Sequence, residues 1–341
     1  MPFPIRLFTT REVLHFRRPA RTSRGTLHTR ELYRIHVQTP LGEGVGECCL
    51  MPGLSPEEGA HYPRLLEAAC RDVEQQGGLL PGRWIHAPSI RFGMETALLS
   101  ACCGDGRPRW DSPLARGESG LEIHHLIWMD SAEAMLCRMD EGEKKGFRRL
   151  KLKVGALPFD EECEMLAEAR RRFPQVELYV DANGAFRPEE APARLEALAA
   201  IGINCIEQPL APGQTKELAR LIRHSPLPIA LDEELISART PSARRRLLET
   251  LRPHALVIKP SLHGGLSGAE EWAALADAAG LRWWLNSALE SHLGLDVLAE
   301  WCGYHAPNSI QGLSTGRLYE DDTPGNFRLE GTELRLSPRL S

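Results

Sequence analysis

Several things are missing from this chain of 341 residues. No run approaches the ~18 consecutive apolar residues of a membrane-spanning helix, which excludes one. The opening MPFPIRLFTTREVLHF lacks the basic-then-apolar order of a secretory signal. There are nine cysteines, with Cys48 beside Cys49 and Cys102 beside Cys103, but no CxxC or CxxxxC metal spacing. An odd count without a secretory start predicts reduced thiols and a cytoplasmic location. Neither sign of charge dominates: 41 Lys and Arg stand against 46 Asp and Glu, a net charge of −5. Nucleic acid and membrane surfaces therefore have no support as partners. The basic runs Arg170 to Arg172 and Arg244 to Arg246 are expected on solvated helix faces. No low-complexity tract or long linker is present.

What is present is a rhythm. Lys153, Asp181, Glu207, Asp232 and Lys259 follow one another at steps of 28, 26, 25 and 27 residues. Each ends or follows a short apolar run, in LKLKVG, ELYVDAN, CIEQPL, IALDEEL and ALVIKPS. Such a step fits one strand, one helix and two short loops. Charges at the ends of successive parallel strands meet at one mouth of a barrel, where barrel enzymes carry their chemistry.

The chain is longer than one compact core usually accommodates. Residues 1–115 read as a small α+β domain: ELYRIHVQTPLGEGVGECCL alternates and turns as an antiparallel meander, and two helical stretches follow. Ser55 and Ser89 are expected to cap those helices. GEGVGE at 42–47 is not GxGxxG and reads as a turn between strands. Over 116–313 the pattern becomes βαβα, with strands expected at 121–128, 147–154, 177–182, 205–209, 228–232, 255–260, 282–287 and 309–313. The fold class is α/β, a (β/α)₇β TIM-like barrel with an N-terminal α+β capping domain. Residues 314–341 have short-strand character and are expected to complete the cap.

A lone carboxylate ending an apolar strand is costly unless something pairs with it. Three at successive strand ends favour a shared hard cation, Mg²⁺ with Mn²⁺ as the alternative, over three separate salt bridges. Lys151 and Lys153 are two apart on one strand and face the same way. With Lys259 opposite, they are expected inside the barrel, with pKa values lowered by burial and mutual repulsion so that one can act as a base. Lysines snorkelling at the rim are the alternative. Asn183 and Glu233 are candidate supporting groups. Gly264, Gly265 and the segment from Ser287 through Glu290 to Ser291 are candidates to bind a substrate carboxylate through backbone N–H groups. Of the loop arginines 17, 18, 21 and 24, Arg24 is the candidate to clamp a dicarboxylate. His124 and His125 adjoin, so one alone can face the barrel, and packing is expected of them.

The motifs LKLKVG, VDANG, IEQPL, LDEEL and VIKPS, in this order and spacing, resemble the enolase superfamily in its muconate-lactonizing-enzyme-like branch. SIRFGMETALLSA, GECCLMPGLS, KPSLHGGL and NSALESHLGLDVLAEW are similar to its o-succinylbenzoate synthase group. That resemblance implies a lyase of menaquinone synthesis with a small-molecule dicarboxylate substrate. It also implies Mg²⁺ on Asp181, Glu207 and Asp232, Lys153 as the base and then the acid, Lys259 as a cation on the opposite face, and Lys151 as the group that depresses the pKa of Lys153. An N-succinylamino acid racemase, another epimerase or a cycloisomerase would share this site. SIQGLSTG lacks the DxD that dipeptide epimerases of the family carry to hold an ammonium, and Lys259 stands where a mandelate-racemase-like His–Asp pair would be. A non-catalytic barrel would be expected to have lost one of the five charges.

Overall fold

The computed structural model describes residues 4–22, 25–104, 108–313 and 318–337. The chain opens with a three-stranded antiparallel sheet, β1 (Arg6–Thr22), β2 (Gly25–Thr39) and β3 (Gly42–Cys49), with β2 central. Tyr33, Ile35 and Val37 of β2 share a core with Tyr62, Leu66, Ala69 and Val73 of helix α1 (Tyr62–Gln76) and with α2 (Pro88–Cys103). The helix period on α1 turns that stripe toward the sheet. GEGVGE is not a turn but the body of β3. A Cβ on Gly44 would lie 2.1 Å from Ala97 O, and one on Gly46 1.9 Å from Gly93 O, so these glycines let β3 lie directly on α2.

Both expected helix caps are displaced. Gly59, at φ +140, and Pro63 in the first turn delay α1 to Tyr62, and Ser55 Oγ accepts the Met51 N–H instead, at 2.8 Å. Ala87 caps α2 with Pro88 in its first turn, and Ser89, inside the helix, donates through N and Oγ to Glu57 Oε1 at 2.7 and 2.6 Å.

The barrel comes next. After β4 (Leu121–Glu122), parallel strands and helices alternate: β5 (His125–Ile127), α3 (Ala132–Lys144), β6 (Arg149–Lys153), α4 (Phe159–Arg172), β7 (Glu177–Asp181), α5 (Ala191–Ile201), β8 (Cys205–Glu207), α6 (Thr215–His224), β9 (Ile229–Leu231), a 3₁₀ turn over 233–237, α7 (Pro241–Leu251), β10 (Ala255–Ile258), α8 (Pro260–His263), α9 (Gly265–Ala278), β11 (Arg282–Leu285) and α10 (His292–His305). Neighbours in the sheet run in chain order from β5 to β11. The expected eighth strand is reduced to two parallel bridges, Gln311 with Ile123 and Gly312 with Asn286, which close the ring. Outward leucines, isoleucines and valines such as Leu150, Leu178, Ile206 and Leu256 pack on the helices, and each is worth about 1.5–3 kcal/mol. Inward, Tyr179, Cys205, Ala230, Val257 and Trp284 fill the barrel floor.

The expected strand 121–128 is split, because Leu121 and Glu122 pair antiparallel with β13 (Glu333–Leu336), the partner of β12 (Phe327–Glu330). Residues 318–320 run along β1, with Arg17 N donating to Leu318 O and Glu320 N to His15 O. Among the described residues no helix is long and apolar enough to cross a membrane.

Candidate active site

Parallel strands put all their C-terminal ends on one side, and six charged residues collect there. Lys153, Asp181 and Glu207 stand in one row, paired in register across β6, β7 and β8. Asp232 follows β9 and Lys259 follows β10. Lys151 lies one pleat below Lys153. Asp181, Glu207, Asp232, Lys151 and Lys259 are buried, and Lys153 is half-buried.

Each lysine has a carboxylate. Lys151 Nζ lies 2.6 Å from Glu207 Oε2 and 3.2 Å from Asp181 Oδ2. Lys153 Nζ donates to Asp181 Oδ2 at 2.8 Å and to Asn183 Oδ1 at 2.7 Å. Asn183 Nδ2 donates to Glu233 Oε1 at 2.9 Å. Lys259 Nζ is ion-paired with Asp232 Oδ2. Lys259 N donates to His263 Nδ1 at 2.9 Å, which leaves the proton of a neutral ring on Nε2.

These pairs correct the expectation that burial lowers the lysine pKa values. Burial does oppose the charge on Lys151, but Glu207 and Asp181 outweigh it and the pKa rises. Lys259 is likewise raised, burial being overcome by Asp232, Glu233 and Glu207. The nearest charges to these ammonium groups are negative, not positive. Burial works against the Asp181 and Asp232 carboxylates as well, yet Lys153 and Lys151 carry Asp181, and Lys259 carries Asp232, below the usual range. Glu207 goes the other way, pushed well up by burial and by Asp181.

The donor set fits a hard divalent cation: three buried carboxylates, oxygen only, on adjacent strands. Glu207 Oε1 and Asp232 Oδ1 are buried and accept no hydrogen bond among the described residues. The lysine ammonium groups lie between the acids, so that no three acidic, histidine or cysteine side chains enclose a common point among the described residues. Gln208, at φ +40, braces this side: its Oε1 accepts the N–H groups of Asp232 and Glu234 at 3.2 and 3.1 Å.

A cavity of about 310 Å³ opens above the cluster. Lys151, Lys153, Asp181, Asn183, Glu233 and Lys259 line one side, and His124, Trp128, Asn286 and Ser287 the other. Leu27, Leu289 and the loop from Met51 to Leu54 form the apolar rim. A larger cavity of about 570 Å³, between α10 and the β12–β13 hairpin, contains none of the lysines.

Some expected site residues fall elsewhere. Gly264 and Gly265 do not line the cavity; Cβ atoms there would lie 2.4 Å from Arg244 Nη2 and from Glu95 Oε2, so both glycines serve close packing. The N–H groups that follow, of Leu266 and Ser267, already bind Glu95 Oε2. Glu290 is wholly buried behind the cavity wall and accepts from Ser261, Ser287 and Ala288 N at 2.6–2.7 Å. Ser291 N is taken by Glu47, and Ser287 N donates to Gly312 O, so this segment's N–H groups are largely spent inside the protein. Arg24 lies outside the described residues. Arg244, expected on a solvated face, is buried and bonds Glu271 and the carbonyls of Ala238 and His263. His124, expected to pack, faces the cavity, whereas His125 packs on Phe147. Asn286 and Trp128 are cavity residues that the sequence did not single out. The only signal for them was alternation two residues apart on strands whose ends were already singled out.

The family model described as enolase C-terminal domain-like matches residues 134–339. An o-succinylbenzoate synthase of Desulfotalea psychrophila is 37% identical, over 96% of this chain and 98% of that one. The crystal structure of MenC from Desulfotalea psychrophila superposes with a TM-score of 0.85 at 33% identity, covering 98% of this chain and all of that one. An N-succinylamino acid racemase of Amycolatopsis sp. is 29% identical over 93% of this chain and 88% of its own.

Proposed function

The chain belongs to the enolase superfamily, and from that premise we propose that it is an o-succinylbenzoate synthase, a lyase of menaquinone synthesis working in the cytoplasm. The reaction removes water from 2-succinyl-6-hydroxy-2,4-cyclohexadiene-1-carboxylate. One observation carries the reading: Lys153 and Lys259, four strands apart in the ring, face one cavity beside three buried carboxylates. The similarity to the Desulfotalea synthase supports dehydration as the outcome.

Asp181, Glu207 and Asp232 would hold Mg²⁺, or Mn²⁺. Bound there, the ion supplies positive charge to the substrate carboxylate as the neighbouring carbon loses its proton. Lys153 Nζ, entering as the free amine, takes the proton from C1, and the C–H electron pair moves toward the carboxylate. The same Nζ then protonates the hydroxyl on C6. The C–O bond breaks, water leaves and the ring becomes aromatic. Lys259, held cationic by Asp232, supplies charge on the opposite face. Lys151 keeps Glu207 and Asp181 in place. Asn183 fixes Lys153 and is itself held by Glu233.

The opposed lysines also favour a second reading, racemisation of N-succinylamino acids, in which each lysine serves one face. The test is kcat/KM for both substrates on the purified protein. Dehydration more efficient than racemisation is the expected result, and the reverse order overturns the assignment.

A further inference from the structure

Across the cavity from the carboxylates, two buried polar side chains have no partner among the described residues. Asn286 follows β11 and is 7% exposed. Its backbone N–H donates to Ile258 O at 2.9 Å, but its carboxamide makes no hydrogen bond among the described residues. His124 precedes β5 and is 2% exposed. Its backbone N–H donates to Gln311 O, while its ring nitrogens meet no donor or acceptor among the described residues. Both pack against Gly312. A Cβ built on Gly312 would stand 1.6 Å from Asn286 Oδ1 and 2.8 Å from His124 Cε1. Asn286, His124 and Gly312 all line the cavity. Buried polar groups are nearly always hydrogen-bonded, so a pair left open toward a cavity points to a partner that is not part of the chain.

The chemistry of that partner follows from the wall. The acids stand on β7, β8 and β9, and this pair stands on β11 and ahead of β5, the other arc of the ring. A substrate with its reacting carboxylate over the acids extends its far arm toward the pair. The pair offers an amide and an imidazole, with no ammonium or guanidinium of its own. Burial, Lys151 and Arg149 keep that imidazole uncharged. Neutral donors suit a neutral oxygen better than a second carboxylate.

We propose that Asn286 and His124 form a hydrogen-bonding subsite for the carbonyl oxygen of the substrate arm remote from the reacting carboxylate, with Gly312 leaving room for the two side chains. This rests on the proposed function, in which that oxygen is the ketone of the succinyl arm, its carbon two bonds from the carbon that loses its proton. The amide carbonyl of an N-succinylamino acid stands at the same remove. The subsite therefore grips either substrate and does not choose between them.

The test compares two ligands by calorimetry in the presence of Mg²⁺: o-succinylbenzoate, and its analogue with the ketone replaced by a methylene. Wild type is expected to bind the ketone about tenfold more tightly, the scale of one buried hydrogen bond. Asn286→Leu and His124→Phe should each shrink that preference to about twofold by weakening the ketone ligand alone, with thermal unfolding confirming that each variant folds. A preference that survives in both variants overturns the subsite, as does a wild type that shows none. Wild-type turnover separates the two ideas. Ligand discrimination without dehydration upholds the subsite and overturns the assignment, while dehydration without discrimination overturns the subsite alone.

Discussion

Two groups of carboxylates in this molecule are neutralised differently. At the barrel mouth Asp181, Glu207 and Asp232 face three lysine ammonium groups. Where the N-terminal sheet and its helices meet the barrel, Glu47 and Glu95 face serine hydroxyls and backbone N–H groups, with Arg91 at Glu95 as the cation, and Glu57 within the first and Glu290 within the second are held in the same way. Burial pushes Glu47 up to about 7 and also raises Glu57 and Glu95. Asp181 and Asp232 are held down instead. Asp181 and Asp232, paired with lysines, stay charged. Glu47, clasped by Ser291, is held nearer to neutral. The first arrangement suits chemistry, the second holds two bodies together.

The sharpest way to break the contrast is at the mouth. Lys153→Ala should lose at least about 10²–10⁴-fold in dehydration, the range for general acid–base help, with the unfolding midpoint little changed. Near-normal steady-state turnover in that variant would remove Lys153 from the mechanism. Glu207→Gln comes next, weakening Mg²⁺ affinity by roughly 100-fold, the upper end of losses seen when only supporting groups around a metal are removed. EDTA should stop wild-type turnover and added Mg²⁺ restore it; activity indifferent to EDTA would contradict the metal site.

The interdomain glutamates are tested by pH. The folded Glu47 carboxyl titrates near 7 against an ordinary 4.5, so the folded protein binds that proton more tightly than the unfolded chain does. Its stabilisation is fully present below about pH 4.5 and is lost as pH rises through about 7. At 1.36 kcal/mol per unit the full loss is roughly 3–3.5 kcal/mol. Glu47→Gln should flatten that slope in urea melts at pH 4.5 and 7.5, and an unchanged slope would count against the clasp. The smallest effect is expected from Lys259→Arg. Keeping the charge, it should retain several-fold more of the dehydration than of any racemisation, measured as two kcat/KM ratios.

Much of the mouth was legible in the sequence because each barrel strand is an apolar run that stops at a charge. Lys153, Asp181, Glu207, Asp232 and Lys259 needed only the step between strands to be placed on one rim. The interdomain clasp was not legible. Glu47 hides in GEGVGE, whose glycines resemble a turn and are spaced instead by the approach of α2. Gly264 and Gly265 misled for the same reason, since a glycine that admits a neighbour looks the same in sequence as one that admits a ligand. The raised lysine pKa values depend on which charge lies nearest in space, which spacing along the chain does not specify.

The ring of strands is uneven. β6 and β7 are joined over five residue pairs, whereas the closure depends on Gln311 and Gly312. Four backbone hydrogen bonds hold it: His124 N to Gln311 O, Gln311 N to Glu122 O, Gly312 N to Leu285 O and Ser287 N to Gly312 O. The Gln311 side chain adds to them by accepting from Leu285 N. The ring thus has a clasp, where thermal opening of the barrel is expected to begin. Amide exchange at Gly312 should outpace that at Ile206, and the opening it reports unzips the wall that carries His124 and Asn286.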